Sequence, residues 1–386
     1  MEKNASQNKV FSRRQYNAGM INFGLSGICV ISAGVIVSIL RDRYHFSYTL
    51  TGMLPSAMSI GNMLALLISG FLPVKIGEKA TALILTFGFF AGYLIMGVSS
   101  SPAILLCAFL FAGIAKGCTA NKCTVLVGNN TDQKARSINL MNALFAIGAL
   151  ACPFIISWLQ KYSPTLPMFG ISFFGLLLWI VFLTAGLPGK TARSGKETQK
   201  TDYSFLKNST FWLLSALLFC QNSAEYTVDG WLVTYYKNEQ ILSGSLAAYT
   251  VTIQWGFMLL ARLLIVYVFK IKNNFRALIV MGIGLSVSYA VLIRMNTPIP
   301  ALICLSLFAF SIAGVYPTAV ASIGNMMNSA SVGIMLSIAG VGGIVFPWLV
   351  GIIADLTSLR IGMAFNLIPC IGIAVLPLLI LHKKTG

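Results

Sequence analysis

Residues 147–156, IGALACPFII, return as VGGIVFPWLV at 341–350, a shift of 194 positions in a chain of 386. The repeat carries a glycine and a proline five residues apart, Gly148 and Pro153 in the first copy and Gly342 and Pro347 in the second. A second pair of marks lies at nearly the same shift. Gly128-Asn129 and Gly324-Asn325 each close an apolar stretch just before the repeated segment. Self-similarity at half the chain length predicts two copies of one module in the same orientation, related by a pseudo-two-fold axis along the membrane normal.

The module belongs in lipid. Hydrophobic residues make up 57% of the chain and charged residues 10%, against roughly 25% charged in an ordinary soluble domain. At about 20 apolar residues per crossing there is room for twelve helices, six per copy. The expected spans are 17–40, 48–73, 80–99, 102–127, 136–158, 167–187, 210–236, 244–269, 277–296, 299–323, 331–354 and 362–381. Helices are required because a segment without closed-barrel partners must satisfy its own backbone hydrogen bonds in lipid. The net charge of +17 is a topology signal and not a nucleic-acid surface, since the basic residues sit in short segments between apolar runs. With the N-terminus inside, eighteen Lys and Arg fall in cytoplasmic segments and six outside, a positive-inside bias that places both termini in the cytoplasm. The compact loops predict a bacterial inner-membrane protein, monomeric, whose partners are the lipid bilayer and a small-molecule solute. The apolar stretch after the basic first sixteen residues is too long for a signal-peptide core and reads as a retained first span.

The expected organisation is a first six-helix bundle at 1–187, a cytoplasmic linker at 188–209, and a second bundle at 210–386. The eight cysteines fall inside apolar spans and predict neither a disulfide framework nor a metal site. Cys118 and Cys123 read as packing residues. No phosphate loop, metal cluster or nucleophile–base pair is present in the sequence, so no cofactor and no enzymatic activity are expected. The driving force, where there is one, is a gradient of protons or another ion.

Acids are scarce. Of ten Asp and Glu, seven, among them Glu78, are assigned to termini, loops or helix ends, and Asp355 to an outer helix end. Glu225 and Asp229 alone lie well inside a span. Buried ionisable groups in a membrane are costly and are functional candidates by default. At a spacing of four they share one face of the seventh span, beside Gln221 and Asn222, and that face must meet a cavity or another helix. In the fourth span, Lys116 falls near the midplane, where it either lines a cavity or makes a packed structural pair. Asn121 is a further candidate for substrate contact. Lys122 lies six residues on, about 120° around the helix, and is expected to run along it to the headgroups. Arg262 in the eighth span is assigned to gating or scaffold pairing. Asn142, Gln254, Trp255 and Tyr316 either line a water-filled path or bond between helices.

With these residues in hand, the chain is identified as a member of the major facilitator superfamily, and it resembles the fucose:proton symporter group within it. The resemblance rests on Arg136-Ser137-Ile138-Asn139-Leu140-Met141-Asn142 leading to Phe145, Gly148-Ala149 and Pro153, on Glu225 followed by Trp231-Leu232 and Tyr235, and on Ala261-Arg262. It implies an all-α membrane fold of two pseudo-symmetric six-helix bundles and alternating access by a secondary transporter. The superfamily signature between the second and third spans appears as Gly70, Lys75, Gly77 and Lys79, with Val74 where the pattern has Asp. That aspartate is expected to help latch the halves, so the latch is weakened or built differently here. The group's coupling acids in the first and fourth spans are also missing: the matching stretches read Ser32-Ala33-Gly34 and Lys116-Gly117. Proton coupling by the group's route is not expected.

The function these features predict is transport of a small polar solute, a sugar or sugar derivative, neutral or acidic, with Lys116 and Glu225 facing each other across the cavity. A substrate carboxylate would then compete for Lys116 and release Glu225 to take a proton. The 25 Phe and 15 Met also suit an exporter of amphipathic compounds or organic anions. A non-transporting membrane sensor is the remote alternative.

Overall fold

A computed structural model describes residues 12–46, 48–189, 203–242, 244–269 and 271–385. Most of the expected linker, residues 190–202, and the basic Lys3 and Lys9 lie outside them. Fourteen helices occupy the described residues: α1 (Arg13–Tyr44), α2 (Tyr48–Ile76), α3 (Glu78–Val98), α4 (Pro102–Asn129), α5 (Lys134–Gln160), α6 (Leu166–Thr184), α7 (Ser209–Asn238), α8 (Gly244–Tyr267), α9 (Asn274–Leu292), α10 (Pro298–Ile312), α11 (Val315–Ala321), α12 (Ser329–Leu356), α13 (Leu359–Phe365) and α14 (Leu367–Thr385). Pro298–Ala321 and Leu359–His382 each act as one interrupted crossing, so the fourteen helices make twelve crossings in two six-helix bundles. Ten crossings among the described residues are long and apolar enough to span a bilayer on that basis alone. The exceptions inform. α7 carries Gln221, Asn222, Glu225 and Asp229, and the apolar part of α8 that stands out is only Thr252–Tyr267.

Helix ends follow local chemistry. Ser12 caps α1 by accepting from the Gln15 N–H, and Asn328 with Ser331 forms a capping box at the start of α12. Gly77 holds φ at +90° between α2 and α3, a conformation that side chains with a Cβ rarely adopt. That turn places Glu78 as the first residue of α3.

The repeated glycines show why the two copies fold alike. In the first bundle Gly148 of α5 packs against the backbone of Gly24 and Ile28 on α1. In the second, Gly342 of α12 packs against Phe219 and Ser223 of α7. α1 against α5 and α7 against α12 are among the most extensive pairings in the molecule. Without a hydrophobic drive between helices in lipid, such close backbone approach supplies the packing. Gly148→Val is therefore expected to prevent recovery of monodisperse protein in gel filtration. Gly34→Ala, at a position where an added Cβ meets nothing within 4 Å, is expected to leave the elution profile unchanged.

The bundles meet along α5 with α8 and α11, and along α2 and α4 with α12. The hydrogen bonds that join them cluster at the end carrying the N-terminus of α1. Asn121 Nδ2 donates to the Ser329 carbonyl at 2.9 Å, Lys134 Nζ to the Gly324 carbonyl at 2.6 Å, and Asn129 Nδ2 to the Met327 carbonyl at 3.4 Å. Farther along, space opens between the bundles: Gly34 and Gly340 line it, and a Cβ added at either meets nothing within 4 Å. Large exposed apolar side chains on the outer surface, such as Phe154, Trp158 and Leu356, face where the hydrocarbon lies.

Candidate transport site

Between the bundles lies a cavity of about 500 Å³. α1 contributes Phe23, Ser26, Val30, Ile31 and Gly34; α4 contributes Lys116 and Ala120; α5 contributes Asn142 and Phe145. The second bundle supplies Gln221, Asn222, Glu225, Tyr226 and Asp229 from α7, Trp255 and Arg262 from α8, Tyr316 from α11, and Leu336, Ala339 and Gly340 from α12. Most of the candidates read from the sequence therefore share one space. The i, i+4 relation of Glu225 and Asp229 places both on its wall.

Local packing sets each polar group. Gly117, next to Lys116, lets α2 approach until an added Cβ would lie 3.0 Å from Ala65 and 3.1 Å from the Asn62 carbonyl carbon, so Asn62 and Lys116 share the cavity wall. Glu225 accepts a hydrogen bond from Gln221 one turn earlier on α7 and lies in the field of Arg262. Arg262 is buried and spans the two bundles: Nε donates to the Ala313 carbonyl and Nη1 to the Asn142 carbonyl, both at 3.3 Å. The Asn142 side chain donates to the Ile138 carbonyl at 2.8 Å. Asp229 accepts from Gln254 Nε2 at 2.6 Å, which ties α7 to α8.

Lys116 stands apart. The ion pairs among the described residues join Lys122 to Glu78 and Arg360 to Glu239, and Lys116 belongs to neither. Lys116 and Glu225 both line the cavity, and among the described residues no ion pair joins them; Arg262, on the adjacent helix of the same bundle, lines the same space.

For Asn121 and Lys122 the expectation changes, and for Gln254 one of two alternatives is realised. Asn121 is buried at the closed end and bonds to Ser329, because five residues rotate it about 140° from Lys116 and toward α12. Gln254 is buried behind the wall, where Asp229 engages it. Lys122 does not run to the headgroups: only 2% exposed, it donates to Glu78 Oε2 at 2.5 Å, to the Ser69 carbonyl at 3.1 Å and to Ser329 Oγ at 3.3 Å. Glu78, assigned to a loop, is its partner.

The signature glycines and lysines have separate places. Gly70 lies against Ser329 and Ala330 and Gly77 makes the α2–α3 turn. Lys75 is exposed in the last turn of α2, and Lys79 donates its backbone N–H to Pro188. Of the repeated prolines, Pro153 lies within α5 and Pro347 within α12, where its carbonyl accepts from Trp231 Nε1 at 2.9 Å. Sequence reasoning missed Ser26, Asn62 and Tyr226 on the cavity wall. An amide in the apolar run around Asn62 was the available signal.

A twelve-crossing, two-bundle molecule with charged and amide side chains lining a cavity between the bundles has the architecture of a membrane transporter. The sequence profile of the Major Facilitator Superfamily matches residues 19–333, and the chain belongs to that superfamily. FucP, the E. coli fucose:proton symporter, solved in the outward conformation, superposes with a TM-score of 0.79 over 95% of this chain and 99% of that one. At 16% identity this likeness establishes the fold alone. An uncharacterized MFS-type transporter of Bacillus subtilis, YfkL, is 26% identical over 377 residues, 92% of each chain. Azole resistance protein 1 of Saccharomyces cerevisiae is 26% identical over 173 residues, and that match spans 42% of this chain but only 27% of the yeast protein. The chain is accordingly a multi-pass membrane transporter of small solutes and not an enzyme.

Proposed function

We propose that this chain is a gradient-driven secondary transporter of a sugar-sized organic anion, working by rocking of residues 1–187 against 210–386 around the central cavity. The observation that carries the reading is Lys116, a cation on the cavity wall without an ion-pair partner among the described residues. The cavity's other charged side chains have hydrogen-bond partners: Glu225 accepts from Gln221, Asp229 from Gln254, and Arg262 donates to the Ala313 and Asn142 carbonyls. A carboxylate on the solute supplies the missing counter-charge, and charge-assisted hydrogen bonds of this kind are about twice as strong as neutral ones. Asn62, Asn142 and Asn222 offer hydroxyl partners, and Trp255, Tyr226 and Phe145 offer ring faces for a sugar or another compact body.

Glu225 is the acid placed to carry a coupling proton, while Arg262 and Asn142 report its state across the bundle interface. The charge distribution of the sequence supports cytoplasmic termini, the compact loops and the superfamily support a bacterial inner membrane, and the protein acts as a monomer. The same aromatic wall also fits an amphipathic organic anion, which is the second reading.

The test is thermal stability of the detergent-purified protein with glucose, glucuronate and an aromatic carboxylate such as naphthoate. A ligand at 100 times its Kd stabilises the native state by about 2.7 kcal/mol. Glucuronate is expected to raise the melting temperature of the parent by several degrees and to have no effect on Lys116→Gln. A shift with naphthoate and none with glucuronate selects the amphipathic reading. Equal shifts with glucose in both proteins contradict anion recognition at Lys116.

A further inference from the structure

The cavity wall carries four charged side chains, Lys116 from the first bundle and Glu225, Asp229 and Arg262 from the second. Among the described residues no ion pair joins any two of them. Resting on the reading of Lys116 as a carboxylate partner, we infer that the solute is a zwitterion, a sugar-sized body whose carboxylate meets Lys116 and whose ammonium group, at its other end, meets Asp229.

Asp229 is placed for such a group. Its Oδ1 accepts from Gln254 Nε2 at 2.6 Å, and among the described residues its Oδ2 has no donor. A neutral amide thus holds the carboxylate in position without balancing its charge. Two aromatic side chains of the cavity wall belong to the same neighbourhood in the chain. Tyr226 lies three residues earlier on the same face of α7, and Trp255 follows Gln254 on α8. The Tyr226 ring is fixed by Gly343 of α12, where an added Cβ would lie 3.1 Å from two of its carbons. Ring faces attract an ammonium group through their quadrupoles, so acid and rings favour the same ligand. Glu225, one turn earlier on α7, is the acid assigned to the coupling proton, which leaves Asp229 for the solute.

The other bundle offers the complementary charge. Lys116 Nζ makes neither an ion pair nor a hydrogen bond with the described residues, and an ammonium group has three protons to give. Because Lys116 and Asp229 stand on different bundles, closing the bundles around a solute takes both charges out of water. A charge desolvated without a partner is strongly unfavourable. A solute with a carboxylate alone answers Lys116 and leaves Asp229 to its amide. A zwitterion answers both, and with one end on each bundle it favours the closed, loaded state over the closed, empty one.

The test is isothermal titration calorimetry of the detergent-purified full chain at about pH 6, where an amine carries its proton and a carboxylate does not. Three solutes share a pyranose ring and its carboxylate and differ only at the second ring carbon: glucuronate with a hydroxyl, 2-amino-2-deoxyglucuronate with an ammonium, and the N-acetyl derivative with a neutral amide. The varied group lies across the ring from the carboxylate, so the two reach opposite walls. The parent is expected to bind the amino uronate about tenfold tighter than glucuronate, the margin of a charged hydrogen bond over a neutral one. Acetylation is expected to remove that margin. In Asp229→Asn the ratio of the two dissociation constants is expected to fall close to one, and general loosening of the site cancels in such a ratio.

Equal affinities for amino uronate and glucuronate in the parent overturn the inference and leave anion recognition at Lys116 standing. So does a preference undiminished by acetylation or by Asp229→Asn. The parent series needs no variant, so the inference is judged even where Asp229→Asn fails to fold. Amino uronate binding undiminished in Lys116→Gln contradicts the anion reading itself, and no binding of any of the three overturns both.

Discussion

Lys122→Met is expected to destabilise the protein by about 3 kcal/mol, and adding Glu78→Gln to recover most of that loss. Removing one partner of a buried ion pair typically costs about 3–5 kcal/mol, because the remaining charge stays desolvated, whereas removing both is often close to neutral. Lys122 is 2% exposed and Glu78 21%, so the stranded carboxylate keeps some access to water and the lower end of the range applies. The measurement is the apparent melting temperature at one fixed scan rate, since membrane proteins of this size unfold irreversibly and their transitions depend on rate. Equal melting temperatures for the single and double variants would show that Lys122 acts through packing and not through its charge.

The second large effect concerns coupling. Glu225→Gln is expected to abolish accumulation of glucuronate driven by a pH gradient while leaving exchange of labelled for unlabelled solute in place. The substitution keeps the shape of the side chain and its contact with Gln221 but removes the proton-accepting carboxylate beside Arg262. One proton moving with one monoanion is electroneutral. Each pH unit of gradient then supplies about 1.4 kcal/mol, or tenfold accumulation, and a membrane potential set with a potassium ionophore adds nothing. The sign follows from the direction of proton flow: uptake into liposomes rises as the external pH falls below the internal pH. Accumulation by Glu225→Gln equal to that of the parent would remove Glu225 from the coupling path.

The fold was legible because its information is periodic and repeated. The Gly148–Pro153 and Gly342–Pro347 segments mark corresponding helices, and the same close backbone approach recurs where each packs in its own bundle. Glu225 and Asp229 were legible as a pair because i, i+4 spacing fixes a shared face whatever the neighbours are. What a helix faces depends on its rotation about its own axis, and a single helix in the sequence does not reveal that angle. Asn121 therefore reads toward the solute although it points to α12, and for Gln254 the sequence leaves both path-lining and interhelical bonding open, of which the bond to Asp229 is the second. The Lys122–Glu78 pair is hidden for another reason. Its members are 44 residues apart and meet only because the Gly77 turn brings the start of α3 beside α4. A charge that looked free to reach the membrane surface is held inside by an acid that looked like part of a loop.

The central claim is that a small organic anion crosses through the cavity by engaging Lys116, and solute counterflow tests it most directly. Proteoliposomes carrying the purified chain are loaded with unlabelled glucuronate and diluted into a trace of labelled glucuronate at equal pH on both sides. The account predicts transient accumulation of label in the parent and its loss in Lys116→Gln, with both proteins monodisperse and folded. Counterflow that persists undiminished in Lys116→Gln, or that occurs with glucose and not with glucuronate, would contradict it.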